Sequence, residues 1–517
     1  MAGLDEIYLG ILKKLPGVAE PIKRQTFKDK LKWTGLILVI YYVMSQITIY
    51  GISKTNYEYF KYLEILMGST FGSLLTLGIG PIVTASIILQ LLVGSKIIPW
   101  DLSSERGKML FQGTQKLAAI LLCLIEAIVY VAFGAVTANP GFFAIVVLQL
   151  AVGGWIIIFM DELISKWGFG SGVGLFIIAG VAKTIIVRAI NPFTSDGVFS
   201  LSIQNPPSGI IPNAALLIGS GDPMGAMLII LPIVATVIVF FLVIYVQAIR
   251  VEIPLAFSSV RGFGRRWPLK FLYTSNIPVI LIAALLANVQ VFARMLSQRG
   301  GADWLGTFDS TGNPIGGLIF FLIPPRTTAI SGIMVSIGLF ALMGALFVYF
   351  TKKSGGLGGL KIVAISGIAG ALIWYFGVSA MGLTALAAIN PIDILRLITY
   401  SLLMIVGSIM FSFFWVSTAG MDAKNVAGQI ESTGMQIPGF RRDIRIIERV
   451  LNRYIPALAV LGGASVGFLA AFADFTGALG TGTGILLAVM IIYQLYEEIA
   501  QQHMEDMHPS VRRFFGK

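Results

Sequence analysis

Side chains that commonly catalyse reactions or bind metals are scarce in this sequence. The two histidines, His503 and His508, lie near the C-terminus, and the single cysteine, Cys123, lies inside an apolar run. Imidazole and thiolate ligands therefore cannot meet inside that run to bind a metal, and one cysteine cannot form an intrachain disulfide. The sequence contains neither a nucleotide-binding P-loop nor a catalytic dyad. It predicts a protein that is not an enzyme and has no cofactor.

Aliphatic side chains beside backbone breaks form a more informative pattern. Gly78, Gly80 and Pro81 interrupt one apolar run, and alternate glycines at 170–174 and 480–484 begin two others. Irregular backbone persists at membrane depth only where protein or water covers it, so these breaks predict a cavity or tight helix contacts. The residues around them are all aliphatic: Ile79, Val83, Val173, Ile177, Ile280 and Leu487. Singly each is typical of helix packing, but as a set they predict a gasket that excludes hydrated ions by dewetting.

The composition requires these residues to lie on membrane-spanning helices. Of 517 residues, 56% are hydrophobic and 12% are charged, and a span needs about 20 mostly apolar residues. The predicted fold class is an all-α polytopic membrane protein. Its predicted spans are 33–51, 79–98, 117–138, 141–160, 169–190, 226–248, 277–296, 329–350, 361–384, 394–416, 454–473 and 483–500. We expect the first of them to be retained as a span rather than removed as a leader.

Charge sets the expected orientation. Most of the 37 lysines and arginines lie in loops on one side of these spans, which predicts that both termini are cytoplasmic. Two of these loops, 250–270 and 424–453, combine dense arginine with apolar side chains. They are either ordinary cytoplasmic loops or a docking surface for a phosphate-rich or acidic partner.

Matching glycine patterns at 170–174 and 480–484 begin spans that run in opposite directions, which indicates two halves of inverted topology. The predicted organisation is an amphipathic N-terminal arm, 1–32, an N-terminal half, 33–200, an external loop, 201–225, a C-terminal half, 226–500, and a tail, 501–517. A short apolar segment at 63–78 predicts a half-helix that enters from outside and could act as a lid.

Three function classes fit an inverted helical bundle. A secondary solute transporter also uses broken helices, but it predicts polar coupling residues at mid-depth, whereas the ionisable residues within the spans are few, chiefly Glu126 and Lys183. A scaffold without a pore needs no broken helices. A channel for a large passenger accounts for both the aliphatic set and the breaks.

Several long segments resemble the SecY family, the protein-conducting channel subunit of the secretion translocon, in its archaeal form. They include LGIGPIVTASIILQLLVGS (77–95), KWGFGSGVGLFIIAGV (166–181), YTSNIPVILIAALLANVQ (273–290) and GALGTGTGILLAVMIIYQLYEEIAQQHMEDMHP (477–509). The resemblance covers nearly the whole chain. It implies an hourglass pore between two pseudo-symmetric halves of five helices each.

The resemblance also implies functional roles for individual residues. The pore ring corresponds to the six aliphatic residues above, and the plug to about 62–74, including Leu66, Met67, Gly68, Ser69, Thr70 and Phe71. The lateral gate lies between spans 79–98 and 117–138 on one side and 277–296 and 394–416 on the other. Its polar cluster is Thr84, Glu126 and Asn288. The ribosome-docking residues are Arg261, Arg265, Arg266, Lys270, Arg441 and Arg442.

The expected partners follow from the same resemblance. They are two small translocon subunits, of the SecE/gamma and beta types, the ribosomal RNA, signal sequences and nascent chains, the lipid bilayer and, indirectly, the receptor of the signal recognition particle. The expected location is the cell membrane. One feature departs from the family: two additional spans within 329–384, which form either a peripheral hairpin or an element near the gate or in place of a small subunit.

Overall fold

The computed structural model describes residues 8–12, 14–23, 25–53, 61–102, 104–194, 197–257, 264–298, 303–309, 314–325, 327–351, 357–380, 388–432, 435–436 and 444–506. The helices are α1 (Phe27–Gln46), α2 (Lys61–Met67), α3 (Gly80–Gly94), α4 (Glu105–Ala132), α5 (Phe143–Trp167), α6 (Gly172–Ile190), α7 (Ile210–Gly219), α8 (Pro223–Ala248), α9 (Ile277–Gln298), α10 (Leu318–Leu322), α11 (Thr328–Thr351), α12 (Leu357–Ala380), α13 (Pro391–Thr418), α14 (Ala423–Ser432), α15 (Ile444–Phe475) and α16 (Gly482–Asp506). The strands are β1 (Arg250–Phe257), β2 (Gly264–Lys270), β3 (Thr307–Phe308), β4 (Pro314–Gly316) and β5 (Met435–Gln436).

Each of the twelve predicted spans corresponds to a helix in the described part of the chain. Ten of these helices are long and apolar enough to cross a bilayer. The other two are α1 and α3. The first turns of α1 carry Lys28, Asp29, Lys30 and Lys32, which shortens its apolar part, whereas α3 has only 15 residues because it starts after the break at Gly78.

Two groups of helices form the bundle. Helices α1 and α3 to α6 pack on one another in the N-terminal group, and α8, α9, α13, α15 and α16 do so in the C-terminal group. The groups meet along two lines: α3 contacts α9 and α13, and α6 contacts α16. The fold is therefore helical and membrane-spanning, as predicted.

The additional hairpin, α11 and α12, packs mainly on α8 and α15. A side chain at Gly338 of α11 would meet Ile238 of α8 at 2.9 Å and Phe472 of α15 at 3.2 Å, so this glycine allows close approach. Much of the far face of α12 is exposed, for example at Ile368 and Phe376. The contacts place the hairpin on the C-terminal half, outside the seam between α3 and α9.

Short strands outside the bundle were not predicted. β1 and β2 form an antiparallel hairpin, and β5 adds to β1 through the pairs Ala256–Gln436 and Phe257–Met435. The predicted external loop contains the helix α7. Helix α1 begins at Phe27, so the last part of the predicted N-terminal arm belongs to the same helix as the first span.

Candidate functional site

A deep cavity of about 1080 Å³ opens at one end of the bundle. Its walls come from α3 to α6 on one side and α9, α13, α14 and α16 on the other. Polar side chains such as Gln90, Gln112 and Asn276 line it, together with the aliphatic Val83 and Ile280. We call this cavity the vestibule. Its mixed lining makes it suitable for water and for an unfolded polypeptide.

Four of the six aliphatic residues predicted as a ring belong to one buried apolar cluster built from both groups of helices, and the partly buried Val173 and Ile280 pack against it. Val83, Val173 and Ile280 line the vestibule. Ile79 and Ile177 lie one helical turn from Val83 and Val173 and, at 1% and 0% exposed, are sealed from solvent. Leu487 of α16 is equally buried. Aliphatic side chains therefore border the vestibule, and the apolar cluster behind them is buried.

The short helix α2 and the turn after it lie behind this cluster. Helix α2 contacts α6, α9 and α16. Of the residues predicted for the plug, five are buried and Thr70 is partly exposed; the five are Leu66, Met67, Gly68, Ser69 and Phe71. The Tyr41 hydroxyl donates a 2.8 Å hydrogen bond to the Gly68 carbonyl, and the Ile79 amide donates one of 2.8 Å to the Met67 carbonyl. The segment is thus tied to the backbone of the ring itself.

The glycine at the sequence break allows this contact. Gly78 adopts φ +54°, in the left-handed region that favours glycine. A Cβ there would lie 2.3 Å from the Met67 carbonyl oxygen. A Cβ at Gly80 would lie 2.7 Å from the Met67 methyl group. The break in the apolar run therefore lets the short helix return and pack against the start of α3.

Two of the three residues predicted for the gate form a direct contact. The Asn288 amide of α9 donates a 3.0 Å hydrogen bond to the Thr84 hydroxyl of α3. Thr84 in turn donates to the Gly80 carbonyl at 2.9 Å. The buried Glu126 carboxyl of α4 adjoins Thr84, and its Oε2 has no hydrogen-bond partner among the described residues. The polar cluster thus lies on the line where α3 meets α9.

The two arginine-rich loops meet in the small sheet. Arg265 and Arg266 lie on β2, opposite Leu255 and Pro254 of β1. Arg261, Arg441 and Arg442 lie outside the described residues. Since β5 belongs to the second loop and pairs with β1, the sheet joins the loops that the sequence analysis treated separately.

Lys270 has a structural contact as well as its predicted docking role. Its ammonium group pairs with the Glu497 carboxylate of α16, which also accepts a 2.9 Å hydrogen bond from Arg250. Both cations flank the base of the β1–β2 hairpin, so this ion pair attaches the hairpin to α16. The Lys270 side chain remains 40% exposed.

Two acidic residues that were not predicted as functional hold the starts of α6 and α16. Asp161 of α5 and Asp474 of α15 accept hydrogen bonds from the first turns of α6 and α16. A sequence signal existed, since each is an acidic residue near the end of the apolar run that precedes a glycine triplet.

Comparison with known proteins decides the family. A sequence model described as SecY matches residues 73–496, and one described as the plug domain of Sec61p matches residues 39–72. The chain belongs to the SecY family. The protein translocase subunit SecY of Pyrococcus horikoshii is 41% identical over 528 aligned residues that cover 100% of both chains.

Solved SecY-family structures share the fold. A structure described as that of a protein-conducting channel matches with a TM-score of 0.75 and 38% identity, covering 97% of this chain and 98% of the other. Sec61 in the canine ribosome–channel complex of the endoplasmic reticulum matches with a TM-score of 0.72 and 38% identity, with the same coverage. The SecY-family assignment thus extends over the described helices of both groups.

Proposed function

We propose that this SecY-family chain is the central subunit of a protein-conducting channel, through which unfolded secretory polypeptides cross the membrane and transmembrane segments leave into lipid. One observation carries the proposal: both groups of helices contribute to an aliphatic cluster with an open vestibule on one side and the α2 segment on the other. The full-length translocase relatives favour this function over a secondary solute transporter.

The six aliphatic residues act as the pore ring and the α2 segment as the plug. Aliphatic side chains exclude water and ions by dewetting, yet they are small and can rearrange around an extended polypeptide. A signal segment enters where α3 meets α9 and α13, and the plug leaves the ring. The plug is held by hydrogen bonds, such as those that the Gly68 and Met67 carbonyls accept, so its displacement requires no covalent step.

The polar cluster at Thr84, Glu126 and Asn288 holds the lateral gate closed. Hydrogen bonds between membrane helices contribute about 0.6–2 kcal/mol. Burial of an apolar segment contributes about 25 cal/mol for each Å² removed from water. A hydrophobic signal helix therefore outweighs the gate contact, whereas a polar segment does not and continues through the ring.

The channel itself is passive, and its partners supply energy. A translating ribosome docks on the sheet formed by β1, β2 and β5 and on the arginines of the loops 250–270 and 424–453. The channel lies in the cell membrane with both termini cytoplasmic. Arginine suits this surface because its guanidinium group binds phosphate in a bidentate manner. Two small translocon subunits of the SecE/gamma and beta types complete the complex.

Site-specific photocrosslinking to a stalled secretory chain tests this function. Probes at Ile79 and Ile280 should crosslink to the stalled polypeptide. A probe at Leu148 of α5, which is 58% exposed and lies on neither wall of the gate, serves as the control and should label lipid instead. Crosslinking at Leu148 but not at Ile79 or Ile280 would contradict the proposed pore.

A further inference from the structure

The last helices of the two halves, α6 and α16, begin in the same way. Gly170 and Gly480 have φ values of +67° and +84°. The hydroxyls of the next residues, Ser171 and Thr481, accept hydrogen bonds from the amides of Gly174 and Gly484 at 3.2 and 2.9 Å. These are ordinary N-terminal caps within one helix.

A second contact joins each of these helix starts to the preceding helix. The Asp161 carboxylate of α5 accepts a 2.9 Å hydrogen bond from the Val173 amide of α6. The Asp474 carboxylate of α15 accepts one of 2.9 Å from the Thr483 amide of α16. Val173 and Thr483 occupy the same position, three residues after the first glycine. The two halves therefore repeat both the cap and the tie to the neighbouring helix.

Close glycine packing makes this tie rigid. A Cβ at Gly172 would lie 2.5 Å from the Cα of Asp161, and one at Gly482 would lie 1.9 Å from the Ala473 carbonyl carbon. The backbones of the paired helices thus touch where the carboxylate binds. With both a backbone contact and a directed hydrogen bond, the first turn cannot rotate or slide without breaking one of them.

The ring residues lie directly on these turns. Val173 is itself bound through its amide by Asp161, and Ile177 lies one turn further along α6. Leu487 lies one turn beyond Thr483 on α16. Successive residues of an α-helix are related by a rotation of about 100° and a rise of about 1.5 Å. A fixed first turn therefore also fixes the directions of these three side chains.

Asp474 has a further connection, to the gate. Its Oδ2 accepts a 2.6 Å hydrogen bond from the Tyr400 hydroxyl of α13 and another from the Thr483 hydroxyl. Tyr400 is 3% exposed, so this contact is protected from water. The carboxylate therefore connects α13, one wall of the gate, with α16, which carries Leu487.

We propose that Asp161 and Asp474 are positioning residues that set the resting aperture of the aliphatic ring, and that Asp474 transmits movement of α13 to it. The proposal rests on the proposed function, since it assumes that the ring closes the channel. Loss of either carboxylate lets α6 or α16 rotate at its start and widens the resting ring.

The test is the resting ion conductance of the purified channel complex in planar bilayers, without a translocating chain. Asp161→Ala and Asp474→Ala should each raise it about tenfold or more, since the first removes one charge-assisted hydrogen bond and the second removes three. Asp474→Asn keeps an acceptor for the Thr483 amide and should largely restore a low conductance. Tyr400→Phe, which removes one of the bonds, should give a smaller increase of about threefold.

Two controls separate positioning from general stability. Thr481→Ala removes only the cap within α16, and Ser408→Ala changes a buried serine of α13 whose hydroxyl has no hydrogen-bond partner among the described residues. Both should leave the conductance near that of the unmodified channel, even if Thr481→Ala lowers the unfolding temperature. If the two alanine variants fail to fold, Tyr400→Phe and Asp474→Asn still provide the comparison.

The outcomes distinguish this proposal from the function on which it depends. If the alanine and Tyr400→Phe variants conduct no more than Ser408→Ala while Ile79 still crosslinks to a stalled chain, the positioning role is wrong and the channel function stands. If Ile79 and Ile280 do not crosslink in the unmodified protein, the proposed function itself fails. Equal conductance of Asp474→Ala and Asp474→Asn would also overturn the positioning role.

Discussion

The Asn288 amide donates a 3.0 Å hydrogen bond to the Thr84 hydroxyl, across the line where α9 meets α3. These residues belong to different halves of the molecule, so the bond exists only while the two helices remain together. It therefore belongs to the closed state of the seam between α3 and α9. Thr84 also bonds to the Gly80 carbonyl, so its hydroxyl keeps a partner when the helices separate, whereas the Asn288 amide loses this acceptor.

Thr84→Val should therefore weaken the closed seam. Valine has nearly the shape of threonine but offers no acceptor, so the closed state should lose about 0.6–2 kcal/mol. Asn288→Leu should act in the opposite direction, since leucine adds apolar burial to the seam. The measurement is the minimum signal-sequence hydrophobicity that supports translocation, which should fall for Thr84→Val and rise for Asn288→Leu.

Thr351→Val is the matched control for these gate variants. Thr351 of α11 bonds to the carbonyl four residues earlier, as Thr84 does, but it lies on the additional hairpin, outside the seam. It should leave the hydrophobicity requirement unchanged. An unchanged requirement in both Thr84→Val and Asn288→Leu would remove the gate assignment.

The aliphatic ring should be sensitive to polarity at constant shape. The double variant Val83→Thr/Val173→Thr places two hydroxyls at the base of the vestibule while nearly preserving side-chain volume. Hydration of the ring should become easier, and the ion leak of proteoliposomes should increase. Val187→Thr, on the same helix as Val173 and 47% exposed, should cause no leak. If Val83→Thr/Val173→Thr leaks no more ions than Val187→Thr, the ring does not form the proposed seal.

The turn between α2 and α3 should not tolerate a side chain at Gly78. Gly78→Ala combines a positive φ with a 2.3 Å approach to the Met67 carbonyl oxygen, which should cost about 1–3 kcal/mol. The α2 segment should then exchange its amide hydrogens faster in hydrogen–deuterium exchange. Gly141→Ala has a similar φ, +84°, but nothing within 4 Å, and it should leave α2 protected. Unchanged protection in Gly78→Ala would contradict the packing described for α2.

Ribosome binding should depend on β2. Charge reversal in Arg265→Glu/Arg266→Glu should weaken binding at physiological salt, since arginine–phosphate contacts dominate such surfaces, and the salt dependence should become shallower. Resting ion conductance should not change. Lys32→Glu alters a lysine that is 79% exposed on α1 and should have little effect on binding. If Arg265→Glu/Arg266→Glu binds ribosomes normally in a co-sedimentation assay, the docking assignment is wrong.

Periodic and compositional signals predicted the helices well because they are local. Hydropathy predicted twelve spans, each of which corresponds to a helix, and ten of these helices are long and apolar enough to cross a bilayer. The α2 segment, which precedes the break at Gly78, packs against the start of α3. The boundary of α1 was less accurate, because its charged first turns continue the same helix. The β1–β2 hairpin was missed because that loop was interpreted only through its charge, and β5 was missed because it has two residues and pairs with β1, which is distant in the sequence.

Long-range pairings could not be predicted from the same signals. The sheet joins two arginine-rich loops through Ala256 and Gln436, and no local pattern specifies that pair. The hydrogen bonds of Asp161 and Asp474 were missed although both residues stand out in the sequence. An acidic residue near the end of an apolar run looks like an ordinary helix end, and its role is visible only once the next helix is packed against it.

By itself the sequence determined that this chain spans a membrane many times, which residues break its apolar runs, and which family it resembles. These depend on side-chain polarity and backbone freedom, which are properties of residues and their near neighbours. The tertiary structure alone decided that α11 packs on α8 and α15, that Asn288 meets Thr84, and that the aspartates hold α6 and α16. Those contacts depend on how helices pack, since a hydrogen bond in an apolar interior forms only where two distant segments meet within about 3 Å.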